Sequence, residues 1–311
     1  VVATASITGA VSEPPTNPAV PPPARAAAAA AAAPAGATVT ATASVRVGAD
    51  MALVVLDAPT IASEARPGQF LMVRCGDLPL RRPLSVHAAD GGRIALLFRI
   101  SGQGTTWLAS RSPGSECDIT GPLGNGYSAP AGPSRVLLLA GGLGIAPLSF
   151  LASRLAAHDV LLLQGARSST ELYLPDPELC GLLPGGGLPA TVRRLLATDD
   201  GSVGVAGTVL GAALPHLEWA DRVYVCGPVA MCAAACRCAG QQGVVAPDGL
   251  VLAPAAARHL LDAEVSLETR MGCGVGACYA CSIPTVNGRV KVCHDGPVFR
   301  FGDVLWQSLA T

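Results

Sequence analysis

Aromatic and charged side chains are both scarce in this sequence. Phe, Trp and Tyr make up 4% of the 311 residues, charged residues make up 14%, and the formal net charge is -1. Proteins that bind single-stranded nucleic acid usually combine a basic groove with stacked aromatic rings, and this composition favours neither feature. No apolar run reaches the roughly 20 residues of a transmembrane helix. The first residues, Val1–Ile7, also lack the basic start and apolar centre of a secretory signal. We therefore expect no nucleic-acid partner and no membrane span.

Cysteine, in contrast, is abundant, with eleven residues. An odd number in a chain of this length does not resemble the disulfide framework of a small secreted domain. We expect a cytoplasmic protein in which most of the scattered cysteines are small apolar core residues. These scattered residues are Cys75, Cys117, Cys180, Cys226, Cys232, Cys236 and Cys238.

The chain divides by composition into four segments, which predict a multidomain protein with a β part and an α/β part. Residues 1–37 are rich in Ala and Pro and read as a disordered tail. Residues 38–132 contain short alternating strands separated by Gly and Pro, which predicts a small antiparallel β-barrel. Residues 133–243 repeat a strand–helix–strand pattern that is typical of a parallel α/β domain. Residues 244–311 form a small C-terminal domain that holds the clustered cysteines.

Four cysteines follow the ligand spacing of a plant-type [2Fe-2S] cluster. Cys273, Cys278 and Cys281 form the pattern C-x₄-C-x₂-C, and Cys293 follows eleven residues later. The glycines between them permit tight turns and let backbone N–H groups approach the sulfur atoms. The alternatives are a zinc site or free thiols, but structural zinc usually shows two C-x₂₋₄-C pairs. The spacing therefore favours an iron–sulfur cluster.

A glycine-rich turn follows the apolar strand Val136–Ala140. Gly141, Gly142 and Gly144 precede Pro147, which suits the first turn of a helix. Such a turn lets the backbone approach the pyrophosphate of a dinucleotide. The motif departs from G-x-G-x-x-G, and no acidic residue ends the next strand, Val160–Gln164. A plain strand–turn–helix connection therefore remains an alternative.

Two short motifs in the predicted barrel suggest a flavin. The segment LRRPLSV places Arg82 and Ser85 in an otherwise apolar stretch, where a guanidinium suits a phosphate and a hydroxyl suits a flavin ring nitrogen. Downstream, Gly104 and Thr105 stand near a predicted helix start and form a second candidate anion site. Either motif alone is more typical of a surface strand or a tight turn. Their occurrence together, in a barrel that precedes a nucleotide domain, strengthens the flavin interpretation.

With these modules in this order, the chain resembles the ferredoxin–NADP reductase superfamily, and within it the electron-transfer subunits of NAD-dependent dihydroorotate dehydrogenases. The resemblance covers about residues 40–311. It is carried by RPLS (82–85), GQGT (102–105), GPLGNGY (121–127), GGLGIAP (141–147), CGP (226–228), MGCGVGAC (271–278) and CHDGPVF (293–299).

The resemblance implies a role for each matching residue. Arg82 would hold a phosphate of FAD, Pro83, Leu84 and Ser85 would lie along the flavin ring, and Ser85 would take part in catalysis. The remaining FAD contacts would be Leu97, Phe98, Arg99, Gly104 and Thr105. Gly141, Gly142, Gly144, Gly227 and Pro228 would bind NAD, Cys226 would act at the contact between nicotinamide and flavin, and Cys273, Cys278, Cys281 and Cys293 would ligate iron.

The resemblance also implies a partner subunit and a role for FAD. A separate FMN-containing catalytic subunit would oxidise dihydroorotate in pyrimidine biosynthesis, and the assembly would be a heterotetramer. FAD would connect the two-electron exchange with NAD to the one-electron exchange of the cluster. The alternatives are the NAD(P)H-facing subunit of a sulfite reductase, a hydrogenase or a ferredoxin:NADP oxidoreductase, and a redox sensor without turnover.

Two further expectations concern the choice between NAD and NADP and the location of the histidines. The residues that should face the adenosine ribose, Gly165–Ser169, include no acid, and Arg167 with Ser168 suits a 2′-phosphate, whereas the resemblance favours NAD over NADP. His87, His158, His216 and His259 show no partnering pattern, so we expect them at the surface or in loops.

Overall fold

The computed structural model describes residues 36–240 and 253–309. The predicted tail lies almost wholly outside these ranges, as does part of the stretch that precedes the clustered cysteines. The four segment boundaries stay predictions.

Six antiparallel strands close into a barrel in the order β1-β2-β5-β4-β3-β6. Strand β2 shows why this sequence forms a barrel with a covered outer face. Ala52, Val54 and Leu56 pack in the barrel interior, whereas Leu53 and Val55 pack in a second core outside it, so both faces of the strand are apolar. The elements are β1 (Gly36–Val47), β2 (Met51–Asp57), α1 (Pro59–Glu64), β3 (Phe70–Val73), β4 (Arg82–Asp90), β5 (Arg93–Arg99), α2 (Gln103–Ala109) and β6 (Glu116–Leu123).

A seven-stranded sheet follows, in the order β10-β9-β8-β7-β11-β12-β15. All neighbours are parallel except β12 and β15, which are antiparallel. The elements of this part of the chain are β7 (Arg135–Gly141), α3 (Ile145–Ser153), β8 (Asp159–Ala166), α4 (Pro177–Leu182), β9 (Arg193–Thr198), β10 (Val205–Ala206), α5 (Val209–Leu217), β11 (Arg222–Cys226), α6 (Val229–Gly240), α7 (Pro254–Leu261), β12 (Glu264–Ser266), β13 (Ser282–Thr285), β14 (Gly288–Lys291), α8 (Val292–Asp295) and β15 (Val298–Arg300). Strands β13 and β14 form a separate two-stranded antiparallel sheet. No helix within the described ranges is long and apolar enough to cross a membrane. The predicted β-barrel and α/β architecture is confirmed.

The sheet is buried on both faces, as its continuous apolar strands predict. In β7, Leu137 and Leu139 pack into one core, while Val136 and Leu138 pack into the other. The second core also contains barrel residues such as Met51 and Leu97. The barrel and the sheet therefore share a hydrophobic interface.

His87 lies at this interface, and the prediction that it is a surface or loop residue is wrong. It stands on β4, is 2% exposed, and its ring nitrogens lie 3.1 Å from the Ala146 carbonyl oxygen and 3.1 Å from the Tyr173 hydroxyl. Burial lowers the pKa of His87 from 6.5 to about 4, so the ring is neutral near pH 7.

Candidate functional site

A cavity of about 640 Å³ opens at the carboxyl ends of the parallel strands. Open α/β sheets commonly bind their ligands at this edge. Its wall brings together five of the residues predicted to bind NAD, namely Gly141, Gly142, Gly144, Gly227 and Pro228. We call it the nucleotide cavity.

Close packing requires glycine at two positions of this turn, Gly141 and Gly144. A Cβ atom at Gly141 would lie 2.6 Å from the Met231 sulfur, and one at Gly144 would overlap the carbonyl oxygen of Cys226. Gly142 has φ +52° and open space on its outer side. The backbone of the turn is thus exposed to the cavity without side chains, which fits a bound pyrophosphate.

Cys226 does not line the nucleotide cavity, although the two residues after it do. It is fully buried at the end of β11, where it pairs with Ser266 of β12. Burial above all, together with the negative charge of Glu268, raises the pKa of the Cys226 thiol. The predicted catalytic role of Cys226 remains a prediction, and its observed position lies behind the cavity wall.

A second cavity, of about 270 Å³, lies where the barrel faces the sheet. We call it the flavin cavity. Its wall includes nearly all residues predicted to bind FAD, namely Arg82, Pro83, Leu84, Ser85, Leu97, Phe98, Arg99 and Thr105. Strands β4 and β5 supply most of them, and α2 supplies Thr105.

Gly104 is the exception among the predicted FAD contacts, since it does not line the flavin cavity. The guanidinium of Arg82 lies against it, and a Cβ atom at Gly104 would be 2.7 Å from the Arg82 Nε. An Nη of Arg82 also donates to the Leu80 carbonyl oxygen at 2.6 Å, which fixes the side chain. The Thr105 hydroxyl accepts from the amides of Ser101 and Gly102, so it holds the start of α2 in place.

Three residues line both cavities, namely Arg99, Leu143 and Glu268. Glu268 was not predicted, because a single acid after a short strand carries no motif. Its side chain is open to the cavities, yet the surrounding protein atoms desolvate the carboxyl and raise its pKa. An ionisable group at the junction of two cavities with a shifted pKa is typical of a catalytic centre.

Thr269, the next residue, has an unpaired hydroxyl group beside the flavin cavity. Its hydroxyl oxygen is buried without a hydrogen-bond partner, although the residue lines the cavity. A buried unsatisfied polar group costs about 1–3 kcal/mol. The apolar walls and this hydroxyl together fit a flat ring system with polar edges, such as a flavin.

Three of the four clustered cysteines lie on the loop before β13, which we call the cysteine loop, and the fourth, Cys293, lies on α8 after the hairpin β13–β14. The amides of Val275, Ala277 and Cys278 donate to the Cys273 sulfur at 3.3–3.4 Å. The Cys293 amide donates to the Cys281 sulfur at 3.4 Å, and the Gly276 amide donates to the Cys293 sulfur at 3.1 Å.

Three of the four cysteines, Cys273, Cys281 and Cys293, accept hydrogen bonds from backbone amides through their sulfur atoms. Burial raises the pKa of the Cys273 thiol, but the amides of Val275, Cys278 and Ala277 lower it more, to about 6. These amides therefore favour the thiolate of Cys273, whereas burial and the hydrogen bond with Cys281 raise the pKa of the Cys293 thiol to about 12. Amide-to-sulfur hydrogen bonds are contacts that stabilise a negatively charged cluster.

The cysteine loop packs directly on the wall of the flavin cavity. Met271, two residues before Cys273, lines that cavity. Gly274 lies over Met72 of β3, and the same strand contributes Phe70 to the cavity wall. The predicted cluster site and the predicted flavin site are thus neighbours.

Comparisons with known proteins agree with this geometry. Residues 268–305 match the family model of the iron–sulfur cluster binding domain of dihydroorotate dehydrogenase B. A solved structure of an NADH-dependent reduced ferredoxin-NADP oxidoreductase is similar to this chain, with 28% identity, a TM-score of 0.69, and coverage of 88% of this chain and 92% of that one.

Curated relatives are similar over most of their length. The electron transfer subunit of dihydroorotate dehydrogenase B (NAD(+)) from Desulforamulus reducens is 38% identical over 264 residues, which cover 81% of this chain and 91% of the relative. The subunit of the same name from Listeria monocytogenes is 37% identical over 251 residues, which cover 76% and 87%. The chain therefore belongs to the family of dihydroorotate dehydrogenase B electron transfer subunits.

Proposed function

We propose that this chain carries electrons between a dihydroorotate-oxidising catalytic subunit and NAD in pyrimidine biosynthesis. The observation that carries the proposal is a line of three contiguous sites. The cysteine loop packs on the flavin cavity through Met271 and Gly274, and the flavin cavity shares Arg99, Leu143 and Glu268 with the nucleotide cavity.

The flavin cavity supplies binding and orientation for FAD. Arg82 would neutralise a phosphate, because its guanidinium is held against α2 at the cavity wall. Pro83 and Leu84 would exclude water from one side of the ring, and Ser85 and Thr269 would donate to its polar edge. FAD, when bound here, connects two-electron chemistry at the nicotinamide with one-electron chemistry at the cluster.

The nucleotide cavity supplies the second half of the exchange. Gly141, Gly142 and Gly144 would hold the pyrophosphate, while Gly227 and Pro228 direct the other end of the nucleotide toward the shared wall. Glu268 lies on that wall, where its raised pKa suits it to hold a proton at higher pH than an exposed carboxyl.

The cysteine loop would present the cluster to the partner subunit. Tyr279 and Val275 on this loop are 65% and 44% exposed, and Tyr279 has φ +59°. Apolar and aromatic side chains of this kind are enriched in the centres of protein interfaces. The partner would be the FMN-containing catalytic subunit in a hetero-oligomer.

A cytoplasmic location belongs to the same proposal. None of the eleven cysteines forms a disulfide, which fits a reducing compartment.

The test is to assay the purified chain alone and then with the catalytic subunit. Alone, it should reduce artificial dyes with NADH and leave dihydroorotate unoxidised. With the partner, dihydroorotate should reduce NAD, and the Cys293→Ser variant should lose only this coupled reaction. Dihydroorotate oxidation by the chain alone would contradict the division of roles. Dye reduction that never becomes dihydroorotate-dependent would favour a ferredoxin-NADP oxidoreductase subunit, to which the fold is also similar.

A further inference from the structure

The end of the nucleotide cavity at β8 holds a cluster of charged side chains. Arg167, Glu171 and Asp199 line the cavity there, and Arg99 reaches it from the barrel. Arg99 contacts Asp50 at 2.6 Å and Glu171 at 3.7 Å, so two guanidiniums lie among three carboxylates. In a sheet of this type, the residues after the second strand face the adenosine ribose.

Backbone hydrogen bonds connect the turn after β8, which carries Arg167, to the turn after β9, which carries Asp199. The Asp199 and Asp200 amides donate to the carbonyl oxygens of Ala166 and Arg167 at 3.1 and 3.2 Å. The Ser169 amide donates to the Ser202 hydroxyl at 2.8 Å. These hydrogen bonds fix the positions of the two turns relative to each other.

Glu171 engages Arg167 through two atoms at once. The Arg167 Nη2 lies 2.6 Å from Glu171 Oε1, and the Arg167 Nε donates to Glu171 Oε2 at 3.2 Å. Glu171 thus occupies the Nε–Nη2 edge of the Arg167 guanidinium, and an arginine uses such an edge to bind a phosphate through two hydrogen bonds. Glu171 itself is the better protected partner, with 22% of its side chain exposed against 74% for Arg167.

We propose that Glu171 is the residue that makes this site select NAD over NADP. The proposal rests on the proposed function, since it assumes that a nicotinamide dinucleotide occupies the cavity. Glu171 occupies the guanidinium that a 2′-phosphate would need, and its carboxylate, with that of Asp199, repels a group that carries about two negative charges. A ribose with a free 2′-hydroxyl can donate to a carboxylate and meets no such repulsion. Arg167 alone predicts the opposite preference, and Glu171, four residues later, reverses it.

The test uses two probes that lack the nicotinamide, ADP-ribose and 2′-phospho-ADP-ribose, titrated by calorimetry into flavin-loaded protein. The wild type should bind ADP-ribose at least about tenfold more tightly, since charge-assisted contacts differ by this much. Glu171→Gln should shift the ratio of the two affinities by about tenfold or more toward the phosphorylated probe. The ratio of kcat/KM for NADPH and NADH should move in the same direction.

Two further variants make the test specific. Glu178→Gln removes an exposed carboxylate outside the cavity and should leave both ratios unchanged. Arg167→Ala added to Glu171→Gln should abolish the gain. An affinity ratio in Glu171→Gln within about twofold of the wild-type ratio, while NADH oxidation persists, would overturn the assignment of Glu171 and leave the proposed function intact. Failure of the wild type to bind either probe or to oxidise NADH would overturn the proposed function itself.

Discussion

Gly274 of the cysteine loop lies directly on Met72 of strand β3. A Cβ atom at Gly274 would be 2.6 Å from the Met72 Cγ, and the backbone there has φ +75°. The loop therefore depends on this glycine both for its turn and for its contact with the barrel.

The Gly274→Ala variant should lose most of its bound iron while it keeps FAD. The physical reason is the contact with Met72, which pushes the loop away from the barrel. Iron and labile sulfide, measured beside flavin absorbance after anaerobic purification, give the readout. Gly288→Ala is the matched control, because Gly288 also has positive φ but meets nothing within 4 Å. Equal iron loss in both variants would assign the effect to backbone strain alone.

The four clustered cysteines should bind about two irons and two labile sulfides per chain. Replacing either Cys281 or Cys293 with serine should remove the visible absorption of the cluster, because one iron loses a thiolate. Cys117→Ser is the control, since Cys117 is buried in the barrel interior, a different core from the one that contains Cys281 and Cys293. Stoichiometric zinc without iron in iron-replete preparations would refute the cluster.

Arg82→Ala should weaken FAD binding far more than Arg81→Ala. Loss of a charge-assisted contact to phosphate costs about 1.5–3 kcal/mol. Arg81 instead bonds the Asp118 carboxylate at 2.7 Å and the Asp118 carbonyl oxygen at 3.1 Å, so its loss should affect the barrel rather than the cofactor. Flavin retained through gel filtration measures the difference. Similar retention in the two variants would mean that the phosphate lies elsewhere.

Glu268→Gln should remove one transition from the pH profile of NADH oxidation, the one at which activity falls as rising pH removes the proton from this carboxyl. The carboxyl has a raised pKa, so in the wild type it takes up a proton as pH falls at a value above the usual 4.5. The glutamine has no such transition. Dye reduction by NADH, measured as kcat and KM from pH 5 to 8, gives both profiles. A transition of the same midpoint in the variant would assign it to another group.

His87 should make the protein less stable as pH falls from about 6.5 to about 4. Over this range the unfolded chain binds a proton at the imidazole and the folded chain does not, so acid favours unfolding. The cost is about 3 kcal/mol at the lower end. His87→Gln should show a shallower fall of Tm across this range, whereas His216→Gln, on α5, should follow the wild type. Parallel curves for all three proteins would contradict the assignment.

The sequence predicts the elements better than the walls of the cavities. The predicted strands Val136–Ala140 and Val160–Gln164 fall within β7 and β8, because each is an apolar run followed by Gly. Glu171 and Glu268 were missed as cavity residues, since each is a lone acid in a turn and reaches its cavity only through tertiary packing. His87 was misplaced for the same reason: strand β4 is covered by α3, and no local pattern reports that contact.

The segment between β12 and β15, which contains the cysteine loop, leaves and re-enters the sheet at neighbouring positions. Ser266 of β12 pairs with Val298 of β15, so the two ends of the segment are roughly 5 Å apart. The residues near the ends of this segment, such as Glu268 and Met271, belong to the cavity walls, whereas Val275 and Tyr279 lie exposed in its middle. Selection can therefore alter the exposed middle of the segment, which would meet a partner, while its ends keep the nucleotide and flavin cavities intact, and one reductase scaffold can serve many electron-transfer complexes.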